Sequence, residues 1–244
     1  LSSQDSAWMD QVRAVLFDLD GTLRHSQPTF MQAFLDIAAS LDLPGSPEGR
    51  RRAARWLLYY WAQSPELVSD WATFLENPDQ FWVNHARMLL QAMGVAENRA
   101  FSLGGVIAAR MQAEFRPSDR LFPDTPQTLA SLRDAGYRLG VVSNRRKSYE
   151  EQLTNLGLLD FFEFALYAGD LECWKPNPAI FYNALDRLGE PASSVIYVGD
   201  NYYADVIGAR RAGLYPVLLD REQLFPEADC LVIGCLSALL EILP

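Results

Sequence analysis

The chain has 244 residues, 49% of them hydrophobic and 21% charged, with a formal net charge of -10. This balance fits a globular protein of one large domain or two modest ones, and the acidic excess disfavours non-specific nucleic-acid binding, which depends on neutralising phosphates. No apolar run is long enough to span a bilayer, and the opening residues LSSQDSAWMDQ lack the basic and apolar segments of a signal peptide. Cys173, Cys230 and Cys235 have no C-x-x-C spacing, so free, mostly buried thiols in a reducing, cytoplasmic setting are expected. Lysine is scarce: Lys147 and Lys175 are the only two.

The first strand is expected at Val15-Leu16-Phe17, an apolar run ended by Asp18-Leu19-Asp20-Gly21. From about Arg24 to Arg116 the sequence reads as helices without strand-like runs. Pro28–Leu41 carries Phe30, Phe34, Ile37 and Leu41 on one stripe. Pro44-Gly45-Ser46-Pro47 breaks it, and Pro47 opens a second helix through RRRAARWLLYYWAQ. Ser64-Pro65 starts a third, Pro78–Met93 forms a fourth that stops at Gly94, and residues 97–115 form a fifth. The segment holds Trp56, Trp61, Trp71 and Trp82, expected to be chiefly bundle core, and His85, expected to be structural.

From Pro117 helix and strand alternate. Asp124 or Thr125 caps a helix ending at Gly136. Strands are expected at Tyr137–Val142, Phe164–Ala168, Val195–Val198, Tyr215–Leu219 and Leu231–Ile233. Helices are expected at 147–156, 179–188, 203–212 and 236–242. The alternation predicts an α/β protein: a parallel sheet with helices on both faces, residues 12–23 and 117–244, with an all-α domain, residues 24–116, inserted after the first strand. In such sheets ligands bind beyond the carboxyl ends of the strands. Asp18, Asp20, Ser143, Asn144, Asp200 and Asn201 all fall at that end of their strands.

Asp18 and Asp20 are two apart, so in extended chain they aim to one side. Two carboxylates that close need a cation, a shared proton or open water. Mg²⁺ prefers hard oxygen ligands, which Asp18, Asp200 and the backbone carbonyl of Asp20 can supply. Ser143 and the backbone N–H groups of Leu19, Asp20 and Asn144 suit a phosphate, as does Lys175, a compact charge that Asp205 can hold. Arg145, Arg146 and Lys147 follow as candidates for a substrate anion or for a solvated helix start, and His25 as a candidate substrate contact or linker residue. These parts suggest phosphoryl transfer, with Asp18 as in-line nucleophile and Asp20 as acid/base.

Asp18-Leu19-Asp20-Gly21-Thr22, Ser143 closing LGVVSN, Lys175 in KPNPAIF, and Gly199-Asp200-Asn201 with Asp205 resemble, in order, the four motifs of the haloacid dehalogenase-like hydrolase superfamily. The resemblance implies a Rossmann-like core, Mg²⁺, an aspartyl-phosphate intermediate and a mobile helical cap, with Thr22, Asn201 and Asp205 supporting the site. The superfamily's dehalogenases lack an acid at the position of Asp20, and the absence of lysine from 24–116 disfavours Schiff-base chemistry from the cap. The expected function is Mg²⁺-dependent hydrolysis of a small phosphorylated metabolite, such as a sugar phosphate, a nucleotide or a phosphoglycolate-like acid, with no nucleic-acid or membrane partner. A sugar-phosphate mutase and a non-catalytic scaffold on the same fold are the alternatives.

Overall fold

The computed structural model describes residues 8–43 and 45–243. The first seven residues and Pro44 of the expected Pro-Gly-Ser-Pro break lie outside the described residues. In chain order the elements are β1 (Ala14–Phe17), β2 (Arg24–Gln27), α1 (Phe30–Ser40), α2 (Pro47–Trp61), α3 (Pro65–Thr73), α4 (Pro78–Met93), α5 (Glu97–Glu114), β3 (Ser118–Leu121), α6 (Thr125–Asp134), β4 (Arg138–Ser143), α7 (Glu150–Asn155), β5 (Ala165–Tyr167), α8 (Ala168–Leu171), α9 (Pro178–Leu188), β6 (Val195–Gly199), α10 (Ile207–Arg211), β7 (Tyr215–Leu219), β8 (Leu231–Ile233) and α11 (Leu239–Ile242). They divide into two compact units, Leu1–His25 with Arg120–Pro244, and Ser26–Asp119.

The first unit is α/β. Its sheet has the order β5-β4-β1-β6-β7-β8, and every neighbouring pair is parallel. β1 is buried along its whole length. Val15 and Phe17 pack into one core with Leu129, Leu132, Leu153 and Leu239. Ala14 and Leu16 pack into another with Ile180, Phe181, Leu185 and Ala209. Alternate residues thus serve opposite faces, as the strand period of two requires, and helices cover both. The chain runs outward from β1 through β4 to β5, then returns to the other side of β1 as β6. The strand order therefore reverses beside β1, where open α/β sheets place their ligands.

The second unit is helical. Ser46, Ser64 and Asn77 each accept a hydrogen bond at the start of a helix, from Gly49, Leu67 and Gln80 N–H respectively, each with proline in the first turn. The pattern satisfies exposed N–H groups and presets φ. Phe34, Ile37, Leu89, Leu90 and Ile107 form one core, and Tyr60, Leu67 and Phe81 a smaller one flanked by Trp56 and Trp61. Trp71 and Trp82 do not join the interior: they are 39% and 43% exposed.

His85 lies among the rings of Phe30, Trp56, Tyr60, Trp61, Phe81 and Trp82, with centroids 5.0–6.4 Å away. Its Nε2 is buried without a hydrogen-bond partner among the described residues. Burial pushes its pKa down to about 4. The folded protein therefore holds fewer protons on this side chain than the unfolded chain between the unfolded value and about 4, and stability is lost as pH falls through that window. His85→Leu is expected to remove about 1 kcal/mol of the stability loss between pH 7.5 and 5.5. Urea unfolding of both proteins at the two pH values checks this; identical losses would show that His85 does not contribute.

Four sequence expectations are corrected. β2 lies inside the segment expected to be wholly helical, and it pairs with β3 as a separate two-stranded sheet. Both strands are polar, RHSQ and SDRL; pairing rather than an apolar face defines them, so hydrophobic periodicity gives no signal. The strand expected at Phe164–Ala168 covers only Ala165–Tyr167, and Ala168 opens the short helix α8. The helix expected at 203–212 begins as a π-helical turn, Tyr202–Val206, before α10. The cysteines are free, but Cys173 and Cys230 are only partly buried and Cys235 is exposed. In addition, the Asp124 side chain makes no cap hydrogen bond; it binds Arg221 and the Leu236 N–H. No helix among the described residues is long and apolar enough to cross a membrane.

Candidate active site

Asp18 leaves β1 with its N–H donating to Val198 O of β6 at 2.9 Å. Its side chain is thereby fixed beside the end of β6, where Asp200 follows Gly199. Gly21 has φ +90°, and a Cβ there would lie 2.1 Å from Asp200 Oδ2. Only glycine allows both the left-handed turn and this approach of backbone to carboxylate. Thr22 Oγ1 donates to Asp18 Oδ2 at 3.4 Å.

Lys175 is 2% exposed and organises the buried side of the site. Its Nζ lies 2.7 Å from Asp18 Oδ1 and 2.7 Å from Asp205 Oδ1. It also donates to Tyr197 Oη at 2.9 Å and approaches Val142 O at 3.2 Å. Tyr197 in turn donates to Val142 O at 2.9 Å. Burial opposes the charged form of Lys175, but Asp18 and Asp205 outweigh it and raise its pKa well above the usual lysine range. Asn144 ties the loop after β4 to the backbone of Lys175: Nδ2 donates to Lys175 O at 2.9 Å, and Oδ1 accepts from Lys175 N at 2.7 Å. Its side chain is therefore spent on positioning, which leaves its backbone N–H as the phosphate candidate. Ser143 is the buried last residue of β4.

Oxygens of Asp18, Asp200 and Asp205 lie within 4.8 Å of one another. Burial, only partly offset by Lys175, pushes the Asp18 pKa up to about 7. Burial, reinforced by Asp18 and Asp205, raises that of Asp200. Three carboxylates thus face one ammonium, a deficit that a divalent cation relieves. Asp205 already uses both oxygens, Oδ1 on Lys175 and Oδ2 on the Asn201 N–H at 3.0 Å. Asp18 Oδ2, which among the described residues takes only the 3.4 Å bond from Thr22, and Asp200 are the carboxylate groups with most to offer, and all-oxygen ligation suits a hard cation. Asn201 Oδ1 accepts from Tyr203 and Ala204 N–H, so it caps the turn that carries Asp205.

Asp20 stands apart from this cluster. Arg145 grips both its oxygens, Nε to Oδ2 and Nη2 to Oδ1, each at 2.7 Å, and Arg24 Nη1 also binds Oδ1. Burial would raise the Asp20 pKa, but the Arg145 and Arg24 guanidiniums outweigh it and hold the carboxyl below its usual value. Sequence reasoning did not pair either arginine with Asp20. Arg145 meets the carboxylate and not solvent alone, whereas Arg146 and Lys147 are exposed. His25 packs on Phe122, ring centroids 4.6 Å apart. Tyr197 was also missed, although a tyrosine inside a fully buried strand must find a partner for its hydroxyl.

A model of the haloacid dehalogenase-like hydrolase family matches residues 12–213. Haloacid dehalogenase-like hydrolase domain-containing protein 3 of Danio rerio is 43% identical over 214 residues, which are 86% of this chain and 86% of its own. A glyceraldehyde 3-phosphate phosphatase of Methanopyrus kandleri is 29% identical, covering 86% of this chain and 84% of its own. The crystal structure of a HAD phosphatase from Thermococcus onnurineus superposes with a TM-score of 0.55 at 25% identity, over 95% of this chain and 98% of its own.

Proposed function

The chain belongs to the haloacid dehalogenase-like hydrolase family, and we propose that it is a Mg²⁺-dependent phosphatase acting on a small phosphate monoester. The observation that carries this reading is the division between its carboxylates. Asp18 sits in an acidic cluster with Asp200 and Asp205 beside Lys175, while Asp20 is held separately by Arg24 and Arg145. Similarity to a phosphatase named for glyceraldehyde 3-phosphate supports phosphate-ester chemistry.

In this reading Asp18 and Asp200, with the carbonyl of Asp20, hold Mg²⁺, which when bound neutralises charge on the acids and on the phosphoryl oxygens. An oxygen of Asp18 attacks phosphorus, and the bond from phosphorus to the ester oxygen breaks. The leaving oxygen takes a proton from Asp20, which must first gain that proton and turn an oxygen away from Arg145, because the two guanidiniums otherwise hold it ionised. Water then attacks the phosphorylated Asp18, giving a proton to Asp20, and the Asp18–phosphorus bond breaks to release inorganic phosphate. Lys175 keeps Asp18 aligned and, with Ser143 and the Asn144 N–H, receives the phosphate. Asp205, Asn201 and Thr22 hold these groups in place. The helical unit occupies the position in the chain that the family gives to its cap, and we assign it that role.

A panel of phosphate monoesters, read as released phosphate, tests the proposal. Turnover that EDTA abolishes and Mg²⁺ restores is expected for at least one ester. No turnover on any ester, with Mg²⁺ still raising the melting temperature, would favour a mutase or a non-catalytic protein instead.

A further inference from the structure

Tyr197 is the one polar side chain in β6, whose other residues are Val195, Ile196, Val198 and Gly199. It faces the same core as Ala14, Leu16, Phe181 and Ala209 and is 1% exposed. A phenyl ring would fill that place equally well, so the hydroxyl needs a reason of its own: buried without a partner, it is costly. It has two partners. Its proton goes to Val142 O at 2.9 Å, and its oxygen accepts from Lys175 Nζ at 2.9 Å. The direction of each bond is fixed, because an ammonium has three protons to give and a carbonyl can only accept. Nζ lies 5.4 Å from the ring centre, so the ammonium meets the hydroxyl and not the face of the ring.

The contact crosses the strand that carries the nucleophile. β1 lies between β4 and β6, with Leu16 paired to Tyr197 on one side and to Gly140 on the other. Tyr197 starts on β6 and ends at a carbonyl of β4, so its side chain spans β1 close to where Asp18 emerges. The ring is held in place: Phe181 meets it edge-on, centroids 4.9 Å apart at 76°. Phe181 is itself packed so closely on α10 that a Cβ on Gly208 would lie 2.6 Å from its Cε2. Lys175 thereby gains a third fixed point. Two of its N–H groups go to Asp18 Oδ1 and Asp205 Oδ1, each at 2.7 Å. The third faces Tyr197 Oη, with Val142 O beside it at 3.2 Å. Held at two points, an ammonium can still tilt about the line joining them; held at three, it cannot.

We propose that Tyr197 is a positioning residue of the reaction: its hydroxyl fixes the Lys175 ammonium, and through it the direction in which Asp18 presents its carboxylate to phosphorus. The catalytic part of this inference rests on the phosphatase reading above, whereas the hold on Lys175 is measurable without turnover. The scarcity of lysine makes it visible. With ¹⁵N-labelled lysine the chain gives two side-chain ammonium signals, from Lys147 and Lys175, the first exposed and the second buried. Proton exchange between each Nζ and water, measured at one pH with Mg²⁺ present, is expected to be slow at Lys175 and fast at Lys147.

Tyr197→Phe keeps the ring and removes only the hydroxyl. It is expected to speed exchange at Lys175 and to lower kcat on p-nitrophenyl phosphate, each by about tenfold or more, the usual worth of a hydrogen bond to a charged group. KM should stay within about twofold of wild type, because the hydroxyl serves the nucleophile and does not touch the substrate. Val195→Ala, in the same core and on the same strand, controls for lost packing: it should lower the melting temperature and leave both kcat and exchange at Lys175 unchanged. Exchange at Lys175 as fast as at Lys147 in the wild type, a measurement independent of how any variant folds, would overturn the inference. So would unchanged exchange or unchanged kcat in Tyr197→Phe, or equal changes in Val195→Ala, which is what a role confined to packing would give. Absence of turnover by the wild type on every ester would overturn the phosphatase reading and with it the catalytic part of the proposal, while slow exchange that Tyr197→Phe speeds would still establish the hold on Lys175.

Discussion

Asp18→Asn is expected to abolish phosphate release, lowering kcat by about 10,000-fold or more, as loss of a nucleophile does elsewhere, without unfolding the protein. The amide oxygen can still accept from Lys175, and Thr22, a hydroxyl, can accept from the amide nitrogen where it now donates to Asp18. Burial raises the folded-state pKa of Asp18 to about 7, so its contribution to stability without metal is full below the unfolded value and lost as pH rises through about 7. The metal-free variant should therefore be at least as stable as the metal-free wild type at pH 8. Mg²⁺ should raise its melting temperature less than that of the wild type, because one of the proposed ligands has lost its charge. Assays for phosphate and thermal melts with and without Mg²⁺ check all three outcomes. Activity within tenfold of wild type would remove Asp18 from the role of nucleophile.

The strand ends carrying Asp18, Ser143 and Asp200 were legible because buried parallel strands are apolar runs, and each run stops at a polar residue. The helices of the helical unit were legible from the Phe30, Phe34, Ile37 and Leu41 stripe and from the Ser-Pro and Asn-Pro pairs that start them. The polar strands β2 and β3 were not, since nothing in RHSQ or SDRL distinguishes pairing from a turn. The partners of the site residues fall into the same two groups. Asp205 was a natural holder for Lys175, close after Asp200 in one turn. The contacts of Arg145 and Asp20, 125 residues apart in the chain, and of Tyr197 with Lys175, depend on which strand ends the fold brings together. Sequence spacing carries no record of that. The exposed Trp71 and Trp82 make the converse point: residue type suggests burial, but a small helical unit cannot enclose every large ring.

Lys175→Met carries the largest stability effect expected. The substitution keeps the length and apolar stem of the side chain but removes the cation from between Asp18 and Asp205. Breaking a buried ion pair by deleting one partner costs about 3–5 kcal/mol, because the remaining charge is left unpaired in a dry site. Here two carboxylates and the Tyr197 hydroxyl lose the same donor, while Val142 O keeps the bond from Tyr197. The loss should depend on pH with a defined sign. Lys175 lowers the Asp18 pKa against the effect of burial, so its removal raises that value further. A carboxyl whose folded pKa is raised stabilises at low pH and loses that contribution as pH rises through the folded value. The deficit of Lys175→Met relative to wild type should therefore grow from pH 5.5 to pH 8 in metal-free urea unfolding. Mg²⁺ should recover part of it at pH 8 by supplying positive charge to the same oxygens. Adding Asp205→Asn should also recover part by removing one of the stranded charges, and the double variant measures how much of the cost belongs to that pair. A deficit below about 1 kcal/mol at both pH values, the range of an exposed surface pair, would mean that Lys175 is not the cation that holds the two acids together.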